Sequence, residues 1–218
     1  MTLEIVLATS NPGKLIEMQA VLSERYPADA LRLILPASLG LALEVDENGS
    51  TYAENASLKA RAYSDASGLP AMADDSGLEV AVLDGAPGLH SARYDAELNG
   101  GKSTDASRRA YLLRNLADMP KPWYARFVCT IAVALPDGSL QLAEGACPGE
   151  ISPVERGSNG FGYDPVFYLP QYGRTMAELN PKLKNLISHR AQALRNAFPI
   201  IDSLLDASSH PSTTPPEE

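Results

Sequence analysis

Trp123-Tyr-Ala-Arg-Phe-Val-Cys-Thr-Ile-Ala-Val-Ala-Leu135 decides the fold of this chain. Trp123, Ala125, Phe127, Cys129, Ile131, Val133 and Leu135 recur at every second position, the period of a strand with one face on a core. Pro136-Asp-Gly-Ser139 supplies a turn, and Leu140 to Ala146 is expected to return as the antiparallel partner. Upstream, Leu3 to Ala8 reads as a buried strand and Leu31 to Leu35 as a second candidate. Between them, Asn11 and Pro12 mark a helix start, a capping side chain followed by proline at the first helical position. Leu15, Met18 and Leu22 follow at helical spacing. Leu43 to Ser50 is acidic and loop-like.

Thr51 and Glu54 form a capping box. The helix behind it carries Ala53, Ala56, Ala60 and Tyr63 on one face, and Asn55 with Lys59 on another. Gly68 and Pro70 end it. Ser103 or Thr104 caps a further helix, with Ala106, Ala110 and Leu113 inward. A last long helix is expected from near Lys184. Its apolar stripe is Ile187, Leu194, Phe198, Ile201 and Leu205, and Pro199 must kink or divide it. Helices and strands interleave, so the class is α/β with a mixed sheet. Residues 1–206 are expected to form a single domain, and the Ser/Thr/Pro-rich segment 207–218 a disordered tail.

Composition narrows the functions. With 18 Lys plus Arg against 27 Asp plus Glu, the net charge is -9. Such a field repels polyanions and argues against nucleic-acid binding, which draws its affinity from basic side chains on phosphates. Two cysteines, Cys129 and Cys147, and three histidines leave little for a zinc site. Both cysteines are expected to be buried and reduced. No signal segment or bilayer-length apolar run is visible, so no membrane partner is expected and the expected location is cytoplasmic.

Four segments are candidates for chemistry. Ala73-Asp74-Asp75-Ser76-Gly77 reads as a turn with adjacent carboxylates, which repel unless a cation or hydrogen bonds offset them. It is either a solvated turn or a site for a hard divalent metal. Thr9-Ser10-Asn11-Pro12-Gly13-Lys14 joins a strand to a helix. Helix-start N–H groups, the dipole and Lys14 suit an anion there, although a capped helix with a surface lysine has the same pattern. Gly157 to Pro165 is glycine-rich around Phe161 and Tyr163, rings that stack on a base or plug the core. Ser188-His189-Arg190 puts a guanidinium beside the apolar stripe, where it needs a carboxylate or a polar ligand. Glu47, in an acidic turn, is a ligand candidate only if the fold brings it to Asp75.

The ordered set of these segments resembles the inosine triphosphate pyrophosphatase family. The matching motifs are Thr9 to Lys14, Glu54-Asn-Ala-Ser-Leu-Lys59-Ala60, Ala73 to Gly77, Gly85-Ala-Pro-Gly88 with Ser91-Ala-Arg-Tyr94, Gly160-Phe-Gly-Tyr-Asp-Pro165 and Ser188 to Arg190. They run in order from residue 3 to about 205. The resemblance implies a two-lobed α/β fold with a long twisted mixed sheet flanked by helices and an active-site cleft between the lobes. It implies hydrolysis of non-standard purine nucleoside triphosphates (ITP, dITP, XTP) to monophosphate and pyrophosphate, with Mg2+, by a homodimer. The alternatives are a broader nucleotide phosphohydrolase and a nucleotide-binding module without turnover.

Carried over by motif, Thr9, Ser10, Asn11, Pro12, Gly13 and Lys14 hold the phosphates. Glu47 and Asp75 bind metal, with Asp75 also the general base. Ser76, Phe161, Gly162, Tyr163, Asp164, Lys184, His189 and Arg190 contact the nucleotide. Phe161 is expected to stack on the base. Arg190, with His189 or backbone N–H groups, is expected to donate to the 6-oxygen, where adenine presents a donor instead.

Overall fold

The computed structural model describes residues 2–9, 11–98 and 100–209. Ser10 and the expected tail from residue 210 onward lie outside them, while 207–209 continue the last helix. Seven strands are present: β1 (Leu3–Leu7), β2 (Leu31–Ile34), β3 (Ala71–Val80), β4 (Tyr124–Ala134), β5 (Leu140–Ile151), β6 (Phe167–Leu169) and β7 (Arg174–Thr175). They form one mixed sheet in the order β2-β1-β3-β4-β5-β6-β7. The first three strands run parallel, and from β3 onward every neighbouring pair is antiparallel.

That order creates the crevice. The chain leaves β1 through α1 (Pro12–Leu22) to reach β2 on one side. It returns through α2 (Tyr52–Ser67) to β3 on the other. Open sheets bind ligands at such a reversal, beyond the carboxyl ends of the strands. Here β1 pairs with only Ala71 and Met72 of β3. Among the described residues, the outer edge of β3 then meets no other strand until Pro87 bridges Glu79.

The alternation of β4 builds two lobes from one strand face. Cys129, Ile131 and Val133 join a core with Met18 and Val21 of α1 and with Leu194 of α5 (His189–Asn196). Ala125 and Phe127 join a second core with Leu112 and Leu116 of α3 (Asp105–Leu116). On the reverse face, Ala132 and Ala134 meet Ala56 and Ala60 of α2, and small side chains let that helix lie close. Both cysteines are buried and free, as expected.

Several local expectations need correction. The Asp74-Asp75 pair lies within β3, not in a turn. The inward residues of α3 are Leu112 and Leu116, while Ala106 and Ala110 are exposed. Glu54 reaches back to Ser50 N at 2.6 Å, one residue beyond the Thr51 cap. The last helix is divided into α4 (Pro181–Ile187), α5 and α6 (Phe198–Ser209). Pro199 accounts for the second break. The first is Ser188, whose extended backbone ends α4 while its hydroxyl caps Ala191 N at 3.3 Å. Gly145 of β5 faces that new helix start; a Cβ there would overlap the backbone of His189 and Ala193.

Candidate active site

The two neighbouring aspartates are separated by the pleat. Asp74 is opposite Ile131 of β4 and Asp75 opposite Thr130. Opposed residues share a face and successive ones alternate, so Asp74 turns towards α1 and α5 and Asp75 towards α2. Each acid therefore meets its own partners. Asp74 Oδ2 lies 2.9 Å from Lys14 Nζ and 3.2 Å from Arg190 Nε. Asp75 Oδ2 accepts from Asn55 Nδ2 at 3.1 Å, and its Oδ1 is 3.9 Å from Lys59 Nζ. Because the edge of β3 is open here, both faces drain into one cavity of about 550 Å³.

Burial alone would raise the Asp74 carboxyl, but Lys14 and Arg190 overcome it and hold the group well below the usual carboxylate range. Asp74 thus binds a proton less readily in the folded chain than in the unfolded one. The stability this adds is fully present above an unfolded value of about 4 and is lost as pH falls through the depressed value. Denaturant midpoints of the wild type should show that acid loss. Asp74→Asn should lack it, so the two curves should converge as pH falls. Parallel curves would detach Asp74 from acid sensitivity.

Asp75 behaves differently. Burial raises its proton affinity, and Lys59 and Asn55 oppose this without cancelling it. Glu47 arrives beside it from the 41–49 loop, and Lys59 Nζ stands 3.0 Å from Glu47 Oε2. The expected pairing of Glu47 with Asp75 is therefore present around a shared ammonium. Asn55 completes the arrangement by accepting from Gly49 N at 2.8 Å, which ties the acidic loop to α2.

The β1–α1 segment contributes less backbone than expected. Asn11 Oδ1 accepts from Gly13 N at 2.8 Å and Lys14 N at 3.3 Å, so the helix-start donors are already capped. Asn11, Pro12 and Lys14 line the cavity. Thr9 accepts from Asn11 N at 3.1 Å and faces a separate apolar groove with Leu35 and Leu41. Gly13 backs the site: a Cβ there would come within 3.0 Å of the Phe161 ring.

Opposite β3 lies the glycine-rich loop. Its two rings divide the roles proposed for them. Tyr163 is buried, with its hydroxyl donating to Ser91 O at 2.9 Å, and plugs the second core. Phe161 faces the cavity, with Lys184 Nζ 4.9 Å and the Arg190 guanidinium carbon 5.6 Å from its centroid. Asp164 staples the loop, accepting from Phe161 N at 2.9 Å and Lys184 Nζ at 2.6 Å. Lys184 also contacts Glu17 Oε1 at 2.7 Å. Burial would lower its pKa, but Asp164 and Glu17 raise it.

Arg190 is 2% exposed. It donates through Nε to Asp74, through Nη1 to Glu17 at 2.5 Å and through Nη2 to Ser76 Oγ at 3.1 Å. His189 stacks on Phe127 with centroids 4.7 Å apart. Burial, reinforced by Arg190, keeps it neutral well below the usual histidine range, and its buried Nδ1 meets no partner among the described residues.

Sequence reading missed Glu17, Lys59, Asn55, Asp105 and Arg108 as site residues. Lys59 and Asn55 had a usable signal, since they share a helix face four residues apart. Glu17 lies one turn after Lys14 on α1. Asp105 and Arg108 had no such signal. Apart from the Arg108–Asp105 pair, four cations (Lys14, Lys59, Lys184, Arg190) meet five carboxylates (Glu17, Glu47, Asp74, Asp75, Asp164) around the cavity. The wall therefore has no surplus positive charge for a polyanion.

Residues 5–200 match the model of the Ham1 family. The chain is 50% identical to a dITP/XTP pyrophosphatase of Geobacillus kaustophilus, over 88% of this chain and 90% of that one. It is 45% identical to a dITP/XTP pyrophosphatase of Nostoc, over 96% and 100%. Among solved structures it resembles a HAM1 protein from Coxiella burnetii, with TM-score 0.80 and 42% identity over 94% of this chain and all of that one. It also resembles the Staphylococcus aureus Ham1 protein, with TM-score 0.76 and 37% identity over 94% and 99%.

Proposed function

This chain belongs to the Ham1 family, and on that premise we propose how it works as a hydrolase of non-standard purine nucleoside triphosphates. It cleaves dITP, ITP and XTP to the monophosphate and pyrophosphate. The observation that carries the reading is Asp75, a carboxylate of raised proton affinity, in one cavity with Glu47, Lys14 and the Phe161 ring.

Glu47 and Asp75 suit a divalent cation. They already flank the Lys59 ammonium, so a positive charge between them is favourable. Among the described residues no cluster of three or more metal-ligating side chains exists. Two hard carboxylates fit Mg2+, which typically takes its other ligands from water and substrate phosphates. Bound there, such a cation supplies the positive charge that the wall lacks and acidifies water.

The residues of the chain do the rest. Asp75 orients the attacking water and takes its proton as the water oxygen bonds to the α-phosphorus. The bond from that phosphorus to the bridging oxygen breaks, and pyrophosphate leaves. Lys14 and Lys59 stabilise charge on the phosphates. Asp74 holds Lys14 and Arg190 in place through its Oδ2. Phe161 stacks on the base, and neutral His189 and Arg190 are placed to read its polar edge. Adenine turns a donor towards the donor-only guanidinium of Arg190, which leaves both unpaired and costs about 1–3 kcal/mol per buried group.

A homodimer fits the uncovered face beyond α2, where Tyr124 is 60% exposed beside Arg126 and Pro148. A cytoplasmic location is part of this proposal; Cys129 and Cys147 are buried and free, and no described helix is long and apolar enough to cross a membrane.

A substrate panel of ITP, XTP, dITP, ATP and GTP, with phosphate and pyrophosphate measured separately, tests the function. Pyrophosphate from the first three and little from ATP or GTP is expected. Phosphate release would indicate a broader phosphohydrolase, and no turnover a binding module. EDTA should abolish turnover and Mg2+ restore it; full activity in excess EDTA would exclude the metal.

A further inference from the structure

Helix α3 lies outside the motifs that carry the resemblance, yet it grips the loop that presents Phe161. Asp105, at its first position, accepts from Gly162 N at 2.7 Å through Oδ2. Arg109, one turn on, donates through Nη1 to Gly162 O at 2.9 Å. The residue next to Phe161 is thus held at both its backbone donor and its backbone acceptor by one helix. Gly162 has φ +61°, so this is a backbone shape with little intrinsic preference.

The grip is itself braced. Arg108 pairs with the other oxygen of Asp105, and its Nη1 donates to Ala92 O at 3.0 Å and Ser103 Oγ at 3.2 Å. Arg109 Nη2 meets Glu155 Oε2 at 3.0 Å. Thr104 and Ser107 cap one another at the helix start, which fixes where Asp105 points.

We infer that Asp105 and Arg109 are positioning residues for base recognition, setting the Phe161 ring through the Gly162 backbone. This rests on the reading that Phe161 stacks on the base. Both residues grip the Gly162 backbone, so their influence is expected on the nucleoside and not on the phosphates.

The test is calorimetric binding of inosine monophosphate and, separately, of pyrophosphate. The proteins are wild type, Asp105→Ala, Asp105→Asn, Phe161→Ala and the Asp105→Ala/Phe161→Ala double variant. Asp105→Ala and Phe161→Ala should each weaken inosine monophosphate by about tenfold, the lower range for base stacking. Pyrophosphate should stay within about twofold, and the double variant should bind no worse than Phe161→Ala, because the two act through one contact. Asp105→Asn keeps an acceptor for Gly162 N and should largely restore binding. If Asp105→Ala fails to fold, Arg109→Leu carries the same comparison.

Additive losses, or a parallel fall in pyrophosphate binding, would overturn the inference. So would an unchanged Asp105→Ala beside a weakened Phe161→Ala. An unchanged Phe161→Ala would instead overturn the stacking reading, and the inference with it.

Discussion

Asp75→Asn is expected to lower turnover by about 10²–10⁴-fold, the range for removing a general base, while the protein stays folded. The amide cannot take the proton of the attacking water. It still offers Asn55 Nδ2 an oxygen acceptor where the carboxylate did at 3.1 Å. Stability should hold or rise, and the sign follows from burial. Asp75 has a raised proton affinity in the folded chain. Its contribution to stability is therefore full below the ordinary carboxylate range and lost as pH rises through the raised value. At neutral pH the ionised group is a cost that the amide removes. Turnover of ITP with Mg2+ and the melting temperature, measured together, decide the matter. Near-normal kcat in the folded variant would take Asp75 out of the mechanism.

Arg190→Ala is expected to be the most destabilising single change at the site. The guanidinium is buried and holds Asp74, Glu17 and Ser76 at once. Its loss takes one cation from buried Asp74 and half-buried Glu17, which keep Lys14 and Lys184, and breaking a buried pair typically costs about 3–5 kcal/mol. The sequence left a carboxylate or a polar ligand open as the partner of this charge beside the apolar stripe, and Asp74 and Glu17 are the carboxylates. Its three named hydrogen bonds leave two of the five N–H groups of a guanidinium for the proposed contact with the base. Arg190→Lys separates recognition from structure. It retains a charge for the carboxylates and loses the planar fork. Partial recovery of the urea midpoint with a smaller ITP-to-ATP ratio of kcat/KM would assign Arg190 both roles. Recovery of the midpoint with an unchanged ratio would leave it structural.

The sheet was legible where period and turn chemistry agreed. The β4 alternation, the 136–139 turn and the Asn11-Pro12 helix start all stand. Asp74 to Gly77 was misread because Asp, Ser and Gly favour turns locally, whereas pairing with Ile131 through Val128 imposes a strand. That error concealed why adjacent acids coexist, since only a strand sends them to opposite faces. The motif residues assembled almost entirely in one cavity. What remained hidden were partners set by tertiary contact alone. Glu17 joins Arg190 across 173 residues, and Asp105 joins Gly162 across 57. No periodicity encodes such distances. The capped donors of Gly13 and Lys14 are a subtler case: the Asn11 that announces the helix also occupies its N–H groups.

Gly145 gives the site a mechanical datum. With hydrogen alone at that position, β5 touches the His189 and Ala193 backbone directly. The height of α5 above the sheet is therefore gauged by main chain against main chain, not by the bulk of interchangeable side chains. Substitutions that reshuffle the Leu194 core can alter packing without bringing the helix any nearer the sheet. The alignment of His189 and Arg190 is thereby insulated from drift in the interior, and tolerance to sequence change in the core coexists with a fixed start of α5.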